Sequence, residues 1–283
     1  MAVENKALRT YAALTAAMVV VLLLAGGLVT TTKTGDTIPT WPHWRGKIHG
    51  GTWVEWSHRA LAGVVALMTL GLALVAHRTA SRKLAWIAWA GVALQALLGG
   101  LRIFTDLPGW QFLKAPVAIV HATFAQVVFC AVVAVALQQS KAWSLRGTGE
   151  ARGVGIAATT ACFLQLVAGA VARHTGMGFE LHVLGAVAVL FFASLLASRL
   201  LMTPLRRGAW ILTGLLGFQI LLGVFTWMFT RTESFVRSPD APLFTLSVVS
   251  LHVATGAGLL AACLGLAILS GPSKAAELRA VAA

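Results

Sequence analysis

Four histidines lie within strongly apolar stretches of the sequence, and their spacing is nearly regular. They are His58, His121, His182 and His252, and the steps between them are 63, 61 and 70 residues. Ionisable side chains are costly at membrane depth, so each histidine is a candidate functional residue. A single histidine in an apolar helix is more often a hydrogen-bonded packing residue. Four at related positions favour a shared function.

Imidazole pairs can bind metals, and this is the first chemistry that these residues support. Pairing within each half of the chain places His58 opposite His121. It likewise places His182 opposite His252. Two facing imidazoles inside a four-helix bundle supply both axial ligands of a haem iron. Zinc and copper also accept imidazole, and proton relays use buried histidine and carboxylate groups. Two separate two-histidine sites favour haem over these alternatives.

A carboxylate distinguishes the first histidine pair from the second. Glu55 precedes His58 by three residues, so both side chains share one face of any helix that begins by Glu55. At the same offset the other three histidines have Ala118, Phe179 and Val249. A lone acidic group beside one metal site can accept a proton or stabilise a developing cation. The sequence therefore predicts that Glu55 is catalytic and that the chemistry takes place at the first pair.

The composition places these residues in a membrane. The chain is 58% hydrophobic over 283 residues, with a mean hydropathy of +0.82. A bilayer span needs about 20 apolar residues, and the chain has room for eight such spans. We therefore predict an all-α integral membrane protein, with the first apolar run retained as a helix. The predicted spans are about 11–31, 56–76, 84–103, 116–138, 153–172, 180–201, 208–229 and 243–269.

The distribution of basic residues predicts the orientation of these spans. Of the 22 Lys and Arg residues, 13 lie on the termini and the even-numbered loops. Positive residues concentrate on the cytoplasmic side, so both termini are expected in the cytoplasm of a multi-pass protein of the cell membrane. The four histidines then lie towards the outer face. The net charge of +13 is explained by this placement and by contact with lipid, so no nucleic-acid partner is expected.

An internal repeat divides the chain into two halves. The segment Gln95–Gly99 matches Gln219–Gly223, and each precedes an outer loop and a histidine-bearing helix. We predict two pseudo-symmetric four-helix bundles, 1–140 and 141–283, that run in the same direction through the membrane. The loop from Thr30 to Val54 is long and rich in Trp, His and Gly. It is expected to be either a lid or an interfacial aromatic belt.

Several further residues are weaker candidates. Four arginines lie near the outer helix ends, where they either pair with haem propionates or anchor the helices at the interface: Arg59, Arg102, Arg173 and Arg231. The outer loops also contain His43, His49 and His174, while His77 is expected at the cytoplasmic interface. The three cysteines, Cys130, Cys162 and Cys263, fall inside spans and are expected to be small buried packing residues.

The first outer loop and the entrance to the second span carry a resemblance to a known family. The segment Glu55-Trp-Ser-His58-Arg59, with Pro39-Thr-Trp41-Pro42 and Gly46, resembles haem A synthase. The three later histidines in eight spans extend this resemblance over nearly the whole chain. Many members have a cysteine pair in the first outer loop, whereas Ile38 and Trp44 stand at the matching positions here. The chain is thus similar to members that lack that pair.

The resemblance implies an enzyme that oxidises the C8 methyl group of haem O to a formyl group, which gives haem A for terminal oxidases. It implies that His58 and His121 flank the substrate haem O, with Glu55 as the catalytic carboxylate. It also implies that His182 and His252 ligate a haem b.

The oxygen of the product would come from water, and the electrons would leave through haem b to a quinone or another acceptor. Haem O synthase and the terminal oxidase are the protein partners that this reaction implies. Two other functions remain open from the residues alone. One is a di-haem b-type electron-transfer cytochrome, which has no need of an asymmetric carboxylate. The other is a proton or metal transporter, which the lack of broken helices disfavours.

Overall fold

The computed structural model describes residues 6–35, 37–41, 50–147, 151–230 and 243–271. This part of the chain contains eight long α-helices and no strand, so the all-α prediction is confirmed. All eight helices are long and apolar enough to cross a membrane. Residues 231–242, which include Pro239 and Pro242, and the tail after residue 271 lie outside the described residues.

The helices run α1 Lys6–Thr31, α2 Gly51–Val75, α3 Arg82–Phe104, α4 Lys114–Gln139, α5 Arg152–Thr175, α6 Phe179–Leu200, α7 Arg206–Thr230 and α8 Leu243–Leu269. Short 3-10 turns occur at Ala76–Arg78, Gln111–Leu113 and Lys141–Leu145. The largest departures from prediction are the starts of α1 and α2, which lie earlier in the chain. Hydropathy marks the apolar span, whereas the first turn of α1 combines charged residues with the buried Leu8.

Contacts between helices form two closed groups. Within the first four helices each packs on the next, and α1 closes the group against α4. The helices α5 to α8 repeat this arrangement, with α5 against α8. The two groups meet where α8 contacts α1 and α4, and where α4 contacts α5. These contacts place α8 at the centre of the protein. The pseudo-symmetry and the boundary after residue 140 stay predictions.

The burial pattern fits helices surrounded by lipid. In α8, 50% of the most apolar window is buried, against 39% or less in each of the other helices. Large apolar side chains such as Leu67, Ile87 and Phe191 point outward and are more than 60% exposed. Helices in lipid approach closely where their residues are small, since lipid is as apolar as leucine. A β-carbon on Gly155 of α5 would lie 2.7 Å from the Ala267 β-carbon of α8.

Two of the cysteines meet at this same interface between α5 and α8. The Sγ atoms of Cys162 and Cys263 are 3.8 Å apart, and both residues are buried as free thiols. Cys130 of α4 is partly buried against the same core. All three therefore pack inside the helical assembly, as predicted.

Candidate functional site

Each of the four histidines packs against a glycine of the preceding helix. The helix pairs are α1–α2, α3–α4, α5–α6 and α7–α8. An ordinary β-carbon contact is 3.4–4 Å, so a side chain at any of these glycines would press on the imidazole. We call these four residues the seat glycines. The distances from a β-carbon position to the imidazole Cε1 are 3.2 Å for Gly26–His58, 3.3 Å for Gly99–His121, 2.9 Å for Gly169–His182 and 3.1 Å for Gly223–His252.

A glutamine one turn before the seat glycine holds two of the histidines. On α3, Gln95 Nε2 donates to the His121 backbone carbonyl at 2.7 Å and lies 3.2 Å from its Nδ1. On α5, Gln165 Nε2 donates to the His182 backbone carbonyl at 2.7 Å. The Nδ1 atom of His182 also lies 3.3 Å from the Gln165 carbonyl oxygen. These contacts fix both the backbone and the ring of each histidine.

The other two histidines are held less firmly. On α7, Gln219 precedes Gly223 by one turn, and its side-chain nitrogen lies 3.2 Å from a β-carbon position on Gly256, one turn beyond His252. On α1 the equivalent position is Leu22, which has no polar side chain. The Nδ1 atoms of His58 and His252 are both buried and have no hydrogen-bond partner among the described residues.

The second histidine pair meets directly. The ring centres of His182 and His252 are 6.3 Å apart, and the ring planes are inclined by 80°. In the first half, His58 of α2 and His121 of α4 each pack against a glycine of the preceding helix, Gly26 and Gly99. The structure thus brings His182 and His252 together, whereas the pairing of His58 with His121 stays a prediction. Their role as ligands stays a prediction.

Glu55 lies in the second turn of α2, where both carboxylate oxygens are engaged. The residue is only 3% exposed. Its Oε2 atom accepts hydrogen bonds from the Thr37 amide and hydroxyl, both at 2.8 Å, and from the Ile38 amide at 2.9 Å. Its Oε1 atom pairs with Arg59 at 2.5 Å. Such charge-assisted bonds hold the carboxylate in place and fasten it to the preceding loop. Its catalytic role stays a prediction.

Arg59 completes the attachment of this loop to α2. Besides Glu55, it donates to the Thr40 carbonyl at 2.6 Å and to the Ile38 carbonyl at 3.0 Å. The guanidinium therefore binds the loop. The sequence alone had left two roles open for Arg59, which were pairing with a haem propionate and anchoring the helix at the membrane interface. Ile38, one of the two positions without the family cysteine, is 1% exposed and held on both sides. Burial and hydrogen bonds thus secure this part of the loop.

Two glycines let the same loop approach the first bundle closely. A β-carbon on Gly100 of α3 would lie 2.7 Å from the Trp41 ring. A β-carbon on Gly35 would lie 2.9 Å from the Arg102 guanidinium. Residues 37–41 thus pack over α2 and α3, as a lid would, and Trp41 remains 41% exposed. The loop residues His43, Trp44, Gly46 and His49 lie outside the described residues, as does Arg231.

Arg173 links the two halves near the seat of His58. From the last turn of α5, its guanidinium donates to the Gly27 carbonyl of α1 at 2.9 Å and to the Thr31 hydroxyl. Gly27 is adjacent to the seat glycine Gly26. At the other end of α2, His77 accepts a hydrogen bond from the Trp86 indole at 3.1 Å, which fits its expected place near the interface. Neither residue contacts Glu55.

Replacing Arg59 by alanine is expected to release the loop without unfolding the bundle. The amides of Thr37 and Ile38 should exchange with solvent about tenfold faster, equivalent to about 1.4 kcal/mol, because the loop loses its two carbonyl bonds and its ion pair. Hydrogen–deuterium exchange of these amides measures the effect. The control is Asp106→Ala, which removes a half-exposed ion pair with Lys114. Unchanged exchange in Arg59→Ala would show that Glu55 alone holds the loop.

The fold and the paired histidines define a multi-pass helical membrane protein whose candidate site is built by residues of neighbouring helices. Residues 46–183 match the model of the COX15-CtaA family, described as cytochrome oxidase assembly protein. This segment, just under half of the chain, is similar to that family, in agreement with the resemblance noted from the sequence. The matched segment contains Glu55 and three of the four histidines and ends before His252. Comparison with curated proteins found no match.

Proposed function

We propose that this protein is a haem A synthase, which oxidises the C8 methyl group of haem O to a formyl group. The haem A so formed would serve terminal oxidases. The observation that carries the proposal is the match to a family of cytochrome oxidase assembly proteins over the segment that contains Glu55, His58, His121 and His182. The reaction converts a methyl group and one water into a formyl group, and it releases four protons and four electrons.

The geometry of the second pair fits a haem. Two imidazoles that face each other within a helical bundle can supply both protein ligands of one haem iron. The His182 and His252 ring centres are 6.3 Å apart. These two residues would hold a haem b, which when bound would accept electrons from the substrate site.

The ligand set supports haem over a bare metal ion. Structural zinc sites use four protein ligands and catalytic zinc sites use three. Among the described residues, no group of three or more His, Cys, Asp or Glu side chains could hold a metal ion. The histidines occur in pairs, and a macrocycle supplies the remaining four ligands of its own iron. His58 and His121 would in the same way flank the substrate haem O.

Glu55 is proposed as the catalytic carboxylate at the first site. It lies one helical turn before His58, and four donors hold its carboxylate in a fixed position. A fixed negative charge can stabilise positive charge that develops on a nearby substrate, at no cost of reorganisation during the reaction. Acceptance of a proton by Glu55 would require one of these donors to move. Arg59 is the donor that holds Oε1.

The proposed orientation puts both termini in the cytoplasm and the histidine sites towards the outer face of the cell membrane. A quinone dissolved in the bilayer, or another acceptor, would receive the electrons. Haem O synthase would supply the substrate, and the terminal oxidase would receive the product. The two half-chains, 1–140 and 141–283, would each bind one haem.

Extraction and chromatographic identification of the bound haems tests this function. We expect haem B together with haem O, haem A or a hydroxylated intermediate in the purified protein. Haem B alone, even after co-expression with haem O synthase, would favour a di-haem b-type cytochrome. A folded protein without haem, from cells that make haem O, would exclude both functions and leave a proton or metal transporter.

The substitution His182→Ala is expected to remove the haem of the second half and leave the first half at least partly loaded. Truncation removes one of two axial ligands, and the remaining His252 has no hydrogen bond at its Nδ1 to orient it. The haem-to-protein ratio, with reduced-minus-oxidised spectra, measures the loss. An unchanged ratio would refute the pairing of His182 with His252.

A further inference from the structure

We infer that the first site has one fixed and one exchangeable histidine, with His121 fixed by Gln95 and His58 exchangeable because Leu22 occupies the glutamine position of its helix pair. This inference rests on the proposed function, since it concerns the ligands of the substrate haem. It assigns positioning roles to Gln95 and Leu22.

The repeat of the helix pairs reveals the difference. In three pairs, a glutamine stands four residues before the seat glycine: Gln95–Gly99, Gln165–Gly169 and Gln219–Gly223. In the first pair, Leu22 stands four residues before Gly26. The seats themselves are alike, because the β-carbon position of each glycine lies 2.9–3.3 Å from its imidazole. The fold therefore repeats the same glycine–histidine contact in four helix pairs. In one of the four, the first, no glutamine precedes the glycine by one turn.

The contact between the glutamine and the histidine, which we call the clamp, affects metal binding because a metal-bound imidazole needs a partner at its other nitrogen. That partner fixes the orientation of the ring. His121 has the Gln95 side-chain nitrogen 3.2 Å from its Nδ1, and the same nitrogen donates to its backbone carbonyl at 2.7 Å. His58 has a buried Nδ1 with no hydrogen-bond partner among the described residues. The bond from His58 to an iron should accordingly be the weaker of the two.

This arrangement suits a site that must load a haem and release it after modification. A site with a glutamine beside each of its two histidine helices would retain its haem, as a resident cofactor requires. In the second half, His182 is clamped by the Gln165 side chain. The Nδ1 of His252 has no partner among the described residues, as in His58, but Gln219 lies beside its helix, with Nε2 3.2 Å from a β-carbon position on Gly256, one turn beyond His252. The first half combines one clamped ligand, His121, with His58, whose facing helix has Leu22 at the glutamine position. The difference between Leu22 and the three glutamines thus separates an exchanging site from a resident site.

Carbon monoxide is the probe for this inference, because it binds ferrous haem only where an axial ligand gives way. Purified, dithionite-reduced protein is titrated with carbon monoxide and followed by absorption spectroscopy. We expect the first-half haem to bind carbon monoxide, and the spectrum of the complex to match that of His58→Ala, since His58 is displaced in both. A first-half haem that stays bis-histidine under saturating carbon monoxide would overturn the inference.

Installing the missing glutamine gives the sharper test. Leu22→Gln places an amide at the same offset from Gly26 as Gln95 has from Gly99, so it should clamp His58. We expect at least about a tenfold loss of carbon monoxide affinity, and no change in the control Leu22→Met. Equal affinities in Leu22→Gln and Leu22→Met would refute the role of this position.

Removing the existing clamp provides an independent variant. Gln95→Leu should raise the carbon monoxide affinity of the first-half haem, because His121 then loses its partner as well. Unchanged affinity would refute the role of Gln95. These readouts do not depend on turnover: a protein that follows the expected carbon monoxide pattern without converting haem O would retain the inference and lose the proposed function. A protein without haem would lose both.

Discussion

Glu55→Gln is expected to lower the conversion of haem O at least about a hundredfold while both haems remain bound, in line with the usual contribution of a positioned acid–base group. The amide has nearly the same shape as the carboxylate but carries no charge. It also has a single acceptor oxygen, whereas Glu55 uses one oxygen for the loop and the other for Arg59. Chromatography of the haems made in cells that supply haem O measures the conversion.

Arg59→Ala separates the chemical role of Glu55 from its role in holding the loop. Glu55→Gln disturbs both roles, because the amide must turn its nitrogen either towards Arg59 or towards the donors of Thr37 and Ile38. Arg59→Ala loosens the loop but leaves the carboxylate with its Oε2 bonds. A catalytic Glu55 requires Glu55→Gln to lose much more conversion than Arg59→Ala. Equal losses would identify Glu55 as a loop anchor, and unchanged turnover in Glu55→Gln would remove both roles.

The fold was predictable because the bilayer imposes simple requirements on length and hydropathy. All eight predicted spans coincide with helices of the structure. The starts of α1 and α2 were missed because charged residues, Lys6 and Arg9, interrupt the first turn of α1, and Gly51 and Thr52 begin α2. Hydropathy detects only the apolar part of a helix. Backbone hydrogen bonds continue beyond that part, so the helix extends into the polar residues that flank it. Residues such as Leu8 are buried there by tertiary contacts that the sequence does not display.

Part of the candidate site was also accessible from the sequence. Helix periodicity placed Glu55 and His58 on one face, and α2 does begin before Glu55. The spacing of the histidines predicted pairs, and the rings of His182 and His252 do lie together. The partners of Glu55 were not accessible, because Thr37 and Ile38 reach it through the path of a loop that has no periodic pattern.

The seat glycines were missed for a different reason. Glycine is abundant in this chain, with 28 residues, so its position in a helix conveys little without the facing side chain. The glutamine one turn earlier was a usable signal. The repeat of Gln95–Gly99 and Gln219–Gly223 was visible, and the same spacing in Gln165–Gly169 would have extended it to a third pair. The repeating unit of the candidate site is therefore a pair of helices with one glycine and one facing histidine. This unit occurs four times, twice in each half of the chain.

Gly169→Ala is expected to reduce occupancy of the second-half haem to below about a tenth. A β-carbon there would lie 2.9 Å from Cε1 and 3.1 Å from Nδ1 of His182. The ring has to move by about half an ångström, which is the tolerance within which a binding constellation stays productive. The ring cannot yield freely, because the Gln165 side chain holds the His182 backbone. Absorption spectra and the haem-to-protein ratio measure the loss.

Gly153→Ala is the matched control for this variant, since it lies on the same helix and its β-carbon position has no neighbour within 4 Å. Alanine favours helix formation over glycine by about 1 kcal/mol, so neither substitution should weaken α5 itself. Gly223→Ala and Gly214→Ala repeat the comparison on α7, where only the first faces an imidazole. Full occupancy in Gly169→Ala and Gly223→Ala would mean that the rings tolerate displacement. The seat glycines would then serve helix packing alone, and the close approach of each histidine to its glycine would not determine how the haem is held.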